Sequence, residues 1–290
     1  MRRRRPSRGS SGLRPRENDV KKMSGAWFVA LAALTSVAQA DEAMPLTRAL
    51  ANEVALYSMM ASNAYADDPG KTRFALDRLG WKKVDLKGGP VTEGRNSYQP
   101  RTPVGDVFSN LQFDIWEDSN SPRTVFAFKG TKEKIDWFAG NVAVGISIPY
   151  KSAKKHVHEY MKAHPERAVT VTGHSLGGGL ALSVSFWEGV DAVVFNTSPR
   201  VFDGMQNQNK PARRLAVFQE NDILQKVRSR YPKFLAKIKP EQIVETHFDY
   251  AGRSTHRSDL LAEGLLACAT EPALKELAAS VTLSVRCDLE

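Results

Sequence analysis

The sequence predicts an α/β protein whose mostly parallel central sheet is flanked by helices. Three observations carry this expectation. From residue 124 onward, apolar runs of strand length alternate with helix-length stretches, a pattern that produces parallel strands covered by helices. The β-branched run Val169–Thr172 passes through Gly173-His174-Ser175-Leu176-Gly177 into a small-residue helical stretch that stops at Gly189. The 250 residues from 41 to 290 suit one domain with a sizeable core.

The chain begins with a strongly basic stretch. Residues 1–22 hold nine Lys or Arg against two Asp or Glu, and residues 23–40 carry no charge. An apolar stretch, Ala26–Val37, is followed by Ala38-Gln39-Ala40 and then Asp41, the pattern of an export signal with small residues before the cut. Residues 1–40 are therefore expected to be a leader and residues 41–290 the folded domain, exported to the periplasm or secreted. The alternative is a basic tail followed by a buried helix. Met23 is a second possible start, although the signal would then lack its Lys or Arg. The apolar stretch is too short for a stable membrane span, and no cysteine follows it for lipid attachment. Of the formal charge of +9, the leader holds +7, so the folded part is not expected to bind nucleic acid.

Taken in order, Leu46–Tyr65 is apolar at helical spacing, with Leu46, Leu50, Val54, Tyr57 and Met60 on one packing stripe. Asp67-Asp68-Pro69-Gly70 ends it. Phe74–Val84 reads as a short helix and then a strand. Residues 86–105, rich in Gly, Pro, Asn and Thr, read as an exposed loop. Val107–Trp116 and Thr124–Phe128 read as strands of a hairpin joined by the polar link Glu117–Arg123. A helix around Ala153–Ala163 feeds a strand at Ala168. His156-Val157-His158-Glu159 within it lacks zinc-site spacing and reads as a solvated face. Ala192–Asn196 and Leu215–Gln219 are two further strands. Cys268 and Cys287 are the chain's two cysteines; a disulfide pinning the C-terminal segment and two buried thiols are both compatible with the sequence.

Gly173-His174-Ser175-Leu176-Gly177 fits G-x-S-x-G, in the strand–turn–helix context this motif requires. A side chain at 173 or 177 would collide with the neighbouring strand or helix, so the glycines permit a strained turn that lifts the Ser175 hydroxyl above the sheet edge. The same turn puts the Leu176 N–H at a helix start, where an oxyanion can be held. A serine nucleophile needs a base, a group orienting that base, and oxyanion donors. In the order Ser, acid, His, Asp222 leaves the strand Leu215–Gln219, with Glu220 its local rival. Only His247 and His256 follow. His247 sits in a strand-like alternation and His256 in a loop before a helix, which favours His256. His174 reads as a structural contact.

The string Gly173-His174-Ser175-Leu176-Gly177-Gly178 resembles the nucleophile region of the fungal-type (class 3) lipases of the α/β-hydrolase fold. Asn221-Asp222-Ile223 is similar to that family's acid loop. Phe128-Lys129-Gly130-Thr131 with Asp136-Trp137 resembles its Phe-Arg-Gly-Ser/Thr … Asp-Trp segment, with lysine where arginine is usual. Ser198-Pro199-Arg200-Val201 resembles a further, architectural block. The resemblance covers roughly residues 124–260. It implies an α/β-hydrolase fold, a second oxyanion donor at Thr131, no cofactor, and a lipid ester substrate hydrolysed through an acyl-enzyme, with transient membrane-surface contact. An esterase for soluble or polysaccharide-linked esters, and a non-catalytic binding protein of the same fold, remain alternatives. The uncharged segment Phe138–Tyr150 is either a lid or a buried crossover. Lys226, Arg228, Arg230, Lys233, Lys237 and Lys239 form either a rim patch for anionic head groups or a solvated helical face.

Overall fold

A computed structural model describes residues 43–289 apart from 66–67, 93, 100–110, 131–147, 200–209 and 231–237. The strands are β1 (Met44–Pro45), β2 (Trp81–Val84), β3 (Phe113–Asp118), β4 (Arg123–Phe128), β5 (Ala168–His174), β6 (Asp191–Phe195), β7 (Arg214–Gln219) and β8 (Ile243–Thr246). The helices are α1 (Arg48–Asn63), α2 (Ile148–Ala163), α3 (Leu176–Glu188), α4 (Gln225–Ser229), α5 (Ser258–Cys268) and α6 (Pro272–Ala279). The strands form one sheet in the order β1-β8-β7-β6-β5-β4-β3-β2. From β4 to β1 every pairing is parallel, and β3 and β2 add an antiparallel edge. This is the α/β-hydrolase arrangement that the sequence predicts.

Helices cover both faces. Val54, Met59, Leu260, Leu261 and Leu265 of α1 and α5 are buried against one side of the sheet. Val157, Tyr160, Leu180, Leu182 and Phe186 of α2 and α3 are buried against the other. The central strands are thus shielded on both sides, which explains why β7 reads as a continuous apolar run rather than an alternating one. Thr47 caps α1 by accepting the Leu50 N–H at 3.2 Å. Burial on α1 is wider than the expected stripe, because Ala51, Ala55 and Met59 are also enclosed, while Leu50 and Tyr57 are only partly covered. The helix lies between the sheet and α5, so two of its sides meet protein.

Two expectations need correction. Residues 86–105 are not uniformly an exposed loop. Asn96 is buried and donates to Ala64 O at 2.8 Å, and Tyr98 exchanges backbone hydrogen bonds with Phe113. Backbone polar groups led into the edge of the sheet find partners there. The solvated face expected at 156–159 fails at His156, whose ring lies 4.4 Å from that of Tyr98 and 5.6 Å from that of Phe113. The first part of the strand expected from Val107 lies outside the described residues. Cys268 and Cys287 are joined by a disulfide that ties the end of α5 to the C-terminal segment. Among the described residues no helix is long and apolar enough to cross a membrane.

Candidate active site

Four parallel strands, β5 to β8, deliver their C-terminal ends to one edge of the sheet, and the candidate site lies there. Ser175 joins β5 directly to α3 at φ 59° and ψ −126°, a conformation that costs a non-glycine residue on the order of 1–3 kcal/mol. Neighbouring backbone imposes it. Ser175 N–H donates to Phe195 O at 3.1 Å, and Ser175 O accepts from Ser198 N–H at 3.0 Å. The glycines allow the fit. A Cβ on Gly173 would lie 2.4 Å from the carbonyl carbon of Gly177, and one on Gly177 would lie 2.1 Å from Phe128 O. The turn at Ser175 therefore wedges between β4 and the first turn of its own helix. Leu176 opens α3, so its N–H belongs to the donors that a helix leaves unpaired in its first turn.

Asp222 follows β7 at the end of a turn in which Asn221 takes φ 57°, a left-handed conformation that asparagine tolerates well. His256 lies in the segment between Tyr250 and α5. That segment is tied to the acid turn by Thr255 Oγ1 donating to Asn221 O at 2.7 Å, and to the end of β6 by Asn196 Nδ2 donating to Thr255 O at 3.3 Å. The three side chains meet in a line. His256 Nδ1 is 2.5 Å from Asp222 Oδ1, and His256 Nε2 is 2.9 Å from Ser175 Oγ. The Asp222 carboxylate is fully buried, whereas the His256 ring keeps 17% of its surface exposed. A carboxylate at Nδ1 selects the tautomer with its proton there, which leaves Nε2 to accept the serine proton.

His174, the last residue of β5, is buried with its ring centre 4.6 Å from that of His256. Burial, aided by the charges of His256, Lys71 and Arg228, holds its pKa well below the usual histidine range, so it stays neutral. Its Nε2 has no hydrogen-bond partner among the described residues. A structural contact is the role expected of His174, and this environment fits it. At the end of β4 the Gly130 N–H donates to Tyr65 Oη at 3.1 Å, and Lys129 reaches Gln112 Oε1 at 2.7 Å. Gly130's own N–H is thereby taken. Thr131 lies outside the described residues, as does the candidate lid segment except for its last three residues.

The rival residues pair with each other elsewhere. Glu220 Oε2 lies 2.9 Å from His247 Nδ1, and both side chains are more than half exposed. The run of cations from Lys226 to Lys239, read as a rim patch or a solvated helical face, needs a larger correction. Lys226, Arg230 and Lys239 are exposed, and Lys233 and Lys237 lie outside the described residues. Arg228, however, is buried, and its Nη1 donates to Asp222 Oδ2 at 2.8 Å. The short helix α4 turns back beneath the acid loop, which brings a residue six positions on against the carboxylate. Neither Arg228 nor Tyr65 was foreseen as part of the site. One stands in a run of cations, and the other follows a helix of core residues. Among the described residues, no three His, Cys, Asp or Glu side chains come together to hold a metal.

The chain resembles known proteins at several levels. An extracellular phospholipase A1 of Serratia liquefaciens is 35% identical over 95 residues, which are 32% of this chain and 29% of that protein. The match thus spans less than a third of that relative's length. Lip2 lipase from Yarrowia lipolytica superimposes with a TM-score of 0.42 at 16% identity, over 65% of this chain and 77% of that one. A lipase from Rhizopus microsporus var. chinensis does so with a TM-score of 0.43 at 18% identity, over 63% and 71%. The sequence model of a phospholipase-like family matches residues 56–228, a span that runs from α1 through Ser175 and Asp222 to Arg228. With well over half of the residues matched, this chain belongs to the Tle-like phospholipase domain family.

Proposed function

We propose that residues 41–290 form a serine hydrolase that cleaves carboxylic ester bonds of lipids, of the phospholipase A or triacylglycerol lipase type. Ser175 is the nucleophile, His256 the base, Asp222 the group that orients and charges the base, and the N–H groups of Leu176 and Thr131 the oxyanion donors. The observation that supports this most is the hydrogen-bonded line from Ser175 Oγ through His256 to Asp222 at the start of a helix. Family membership supports lipid esters as the bonds cleaved.

In this mechanism Ser175 Oγ attacks the ester carbonyl carbon while His256 Nε2 takes its proton. The negative charge on the carbonyl oxygen is held by the two N–H groups. The tetrahedral adduct collapses, the C–O bond to the alcohol breaks, and the imidazolium returns the proton to the leaving oxygen. Water, deprotonated by the same imidazole, then attacks the acyl carbon; the bond to Ser175 Oγ breaks, the imidazolium returns the proton to that oxygen, and the fatty acid leaves. No step needs an electron donor or acceptor. Export of the domain after removal of residues 1–40 completes the proposal, and the Cys268–Cys287 disulfide fits an oxidising compartment.

Replacing Ser175 tests the chemistry. The Ser175→Ala variant is expected to melt as the parent does, to escape a fluorophosphonate probe, and to lose at least about a thousandfold in turnover of short p-nitrophenyl esters. Retained turnover in that variant would reassign the nucleophile. On phosphatidylcholine vesicles, release of a free fatty acid with a lysophospholipid marks a phospholipase A. Release only from soluble esters marks an esterase instead.

A further inference from the structure

We propose that Arg228 is a positioning residue of this reaction, which fixes the Asp222 carboxylate against His256 and supplies its counter-charge. The inference rests on the Ser175, His256 and Asp222 reading above. Its physical basis is the division of one buried carboxylate between two partners. Asp222 Oδ1 faces His256 Nδ1 at 2.5 Å, and Oδ2 receives Arg228 Nη1 at 2.8 Å and the Leu224 N–H at 3.3 Å.

The guanidinium is fixed as well as buried. Only 6% of its side-chain surface is exposed, it lies 4.1 Å above the Phe218 ring centre, and its Nη1 also donates to Thr197 O at 3.3 Å. It thereby links β7, the end of β6 and the acid turn. Burial works against its charge and the Asp222 carboxylate works in favour of it; guanidinium groups stay protonated in proteins under such opposition.

The consequence for catalysis follows from charge. A buried carboxylate without a counter-ion attracts a proton strongly. In the Asp222–His256 pair that proton can sit on the imidazole or on the carboxyl, and either arrangement removes the competent state of charged carboxylate and neutral ring. Arg228 compensates the carboxylate charge from its far side, which favours the charged carboxylate beside a neutral ring. Other groups face the ring or its surroundings. They are Ser175 at Nε2, His174 from β5, Lys71 beside His174, the Tyr250 phenol near Asp222, and the Arg257–Asp259 pair on the α5 side. Among the described residues, Arg228 is the Lys or Arg in hydrogen-bond contact with the carboxylate.

The test is the pH dependence of kcat/KM on a soluble p-nitrophenyl ester, with thermal melts run alongside. In Arg228→Gln the acid limb should move to higher pH by about half to one unit, so the loss is larger at pH 6 than on the alkaline plateau. Arg228→Lys, which restores a cation, should return the limb to within about a third of a unit of the parent. An unmoved limb in a folded Arg228→Gln variant overturns the proposal. If that variant does not fold, the Asp222→Asn background decides, because no carboxylate charge remains there to be compensated. Adding Arg228→Gln to it should change turnover by less than about twofold, and a further tenfold loss would overturn the proposal. Parent turnover that survives Ser175→Ala would instead sink the triad reading itself, so the two failures are distinguishable.

Discussion

His256 and His247 stand nine positions apart and occupy different environments. The His256 ring is largely enclosed, with a buried carboxylate on one nitrogen and a strained serine on the other. His247 lies on the surface, bonded to an equally exposed Glu220, and pairs of that kind contribute at most about 1 kcal/mol. Their substitutions should therefore diverge. His247→Ala is expected to keep kcat/KM on a soluble ester within about twofold of the parent, while His256→Ala loses at least about a thousandfold. A large loss in the first and a small one in the second would move the base to the other histidine. Ser175 shows why a residue can be held in an unfavourable conformation. Its backbone is clamped by the ends of two strands, and its glycine neighbours leave no room for relaxation.

At the scale of elements, α1 does more than cover the sheet. Two residues beyond its end, Tyr65 places a phenol oxygen against the Gly130 N–H at the end of β4, 65 residues away in sequence. The ammonium of Lys71 sits 3.8 Å from the centre of that ring. Burial raises the phenol pKa above its usual value, so the hydroxyl stays protonated and accepts the N–H through its lone pair. Tyr65→Phe keeps the packed ring and removes the acceptor. The variant should lose about 1–3 kcal/mol of stability, the cost of a buried N–H left unpaired. It should also lower kcat with little change in KM, because the loop after β4 carries the second proposed oxyanion donor. Denaturant melts and steady-state kinetics check the two halves separately; an unchanged kcat would detach this helix end from the chemistry.

For the molecule as a whole, the sheet order brings β5, β7 and the segment after β8 to one edge, and a disulfide bridges the C-terminal segment to α5. The disulfide from Cys268 to Cys287 spans nineteen positions and anchors α5, the helix that follows His256. Cross-linking a loop of this length stabilises a fold by about 3 kcal/mol. The Cys268→Ser, Cys287→Ser double variant should accordingly melt roughly 6–12 °C lower; an unchanged melting temperature in oxidised and reduced samples would make the bridge irrelevant to stability. The sequence alone determined the parallel architecture, the strand–turn–helix at Ser175 and the identity of its glycines, since those depend on periodicity and on contacts within a few residues of Ser175. Chain order and local context also favoured Asp222 over Glu220 and His256 over His247, and contacts across 34 and 81 positions bring that favoured pair to Ser175. Only the tertiary structure decided that Arg228 leaves the surface to face Asp222 and that Tyr65 reaches Gly130. Both pairings depend on how a short helix and a helix end fold back over the strand termini, and no spacing rule along the chain encodes that path.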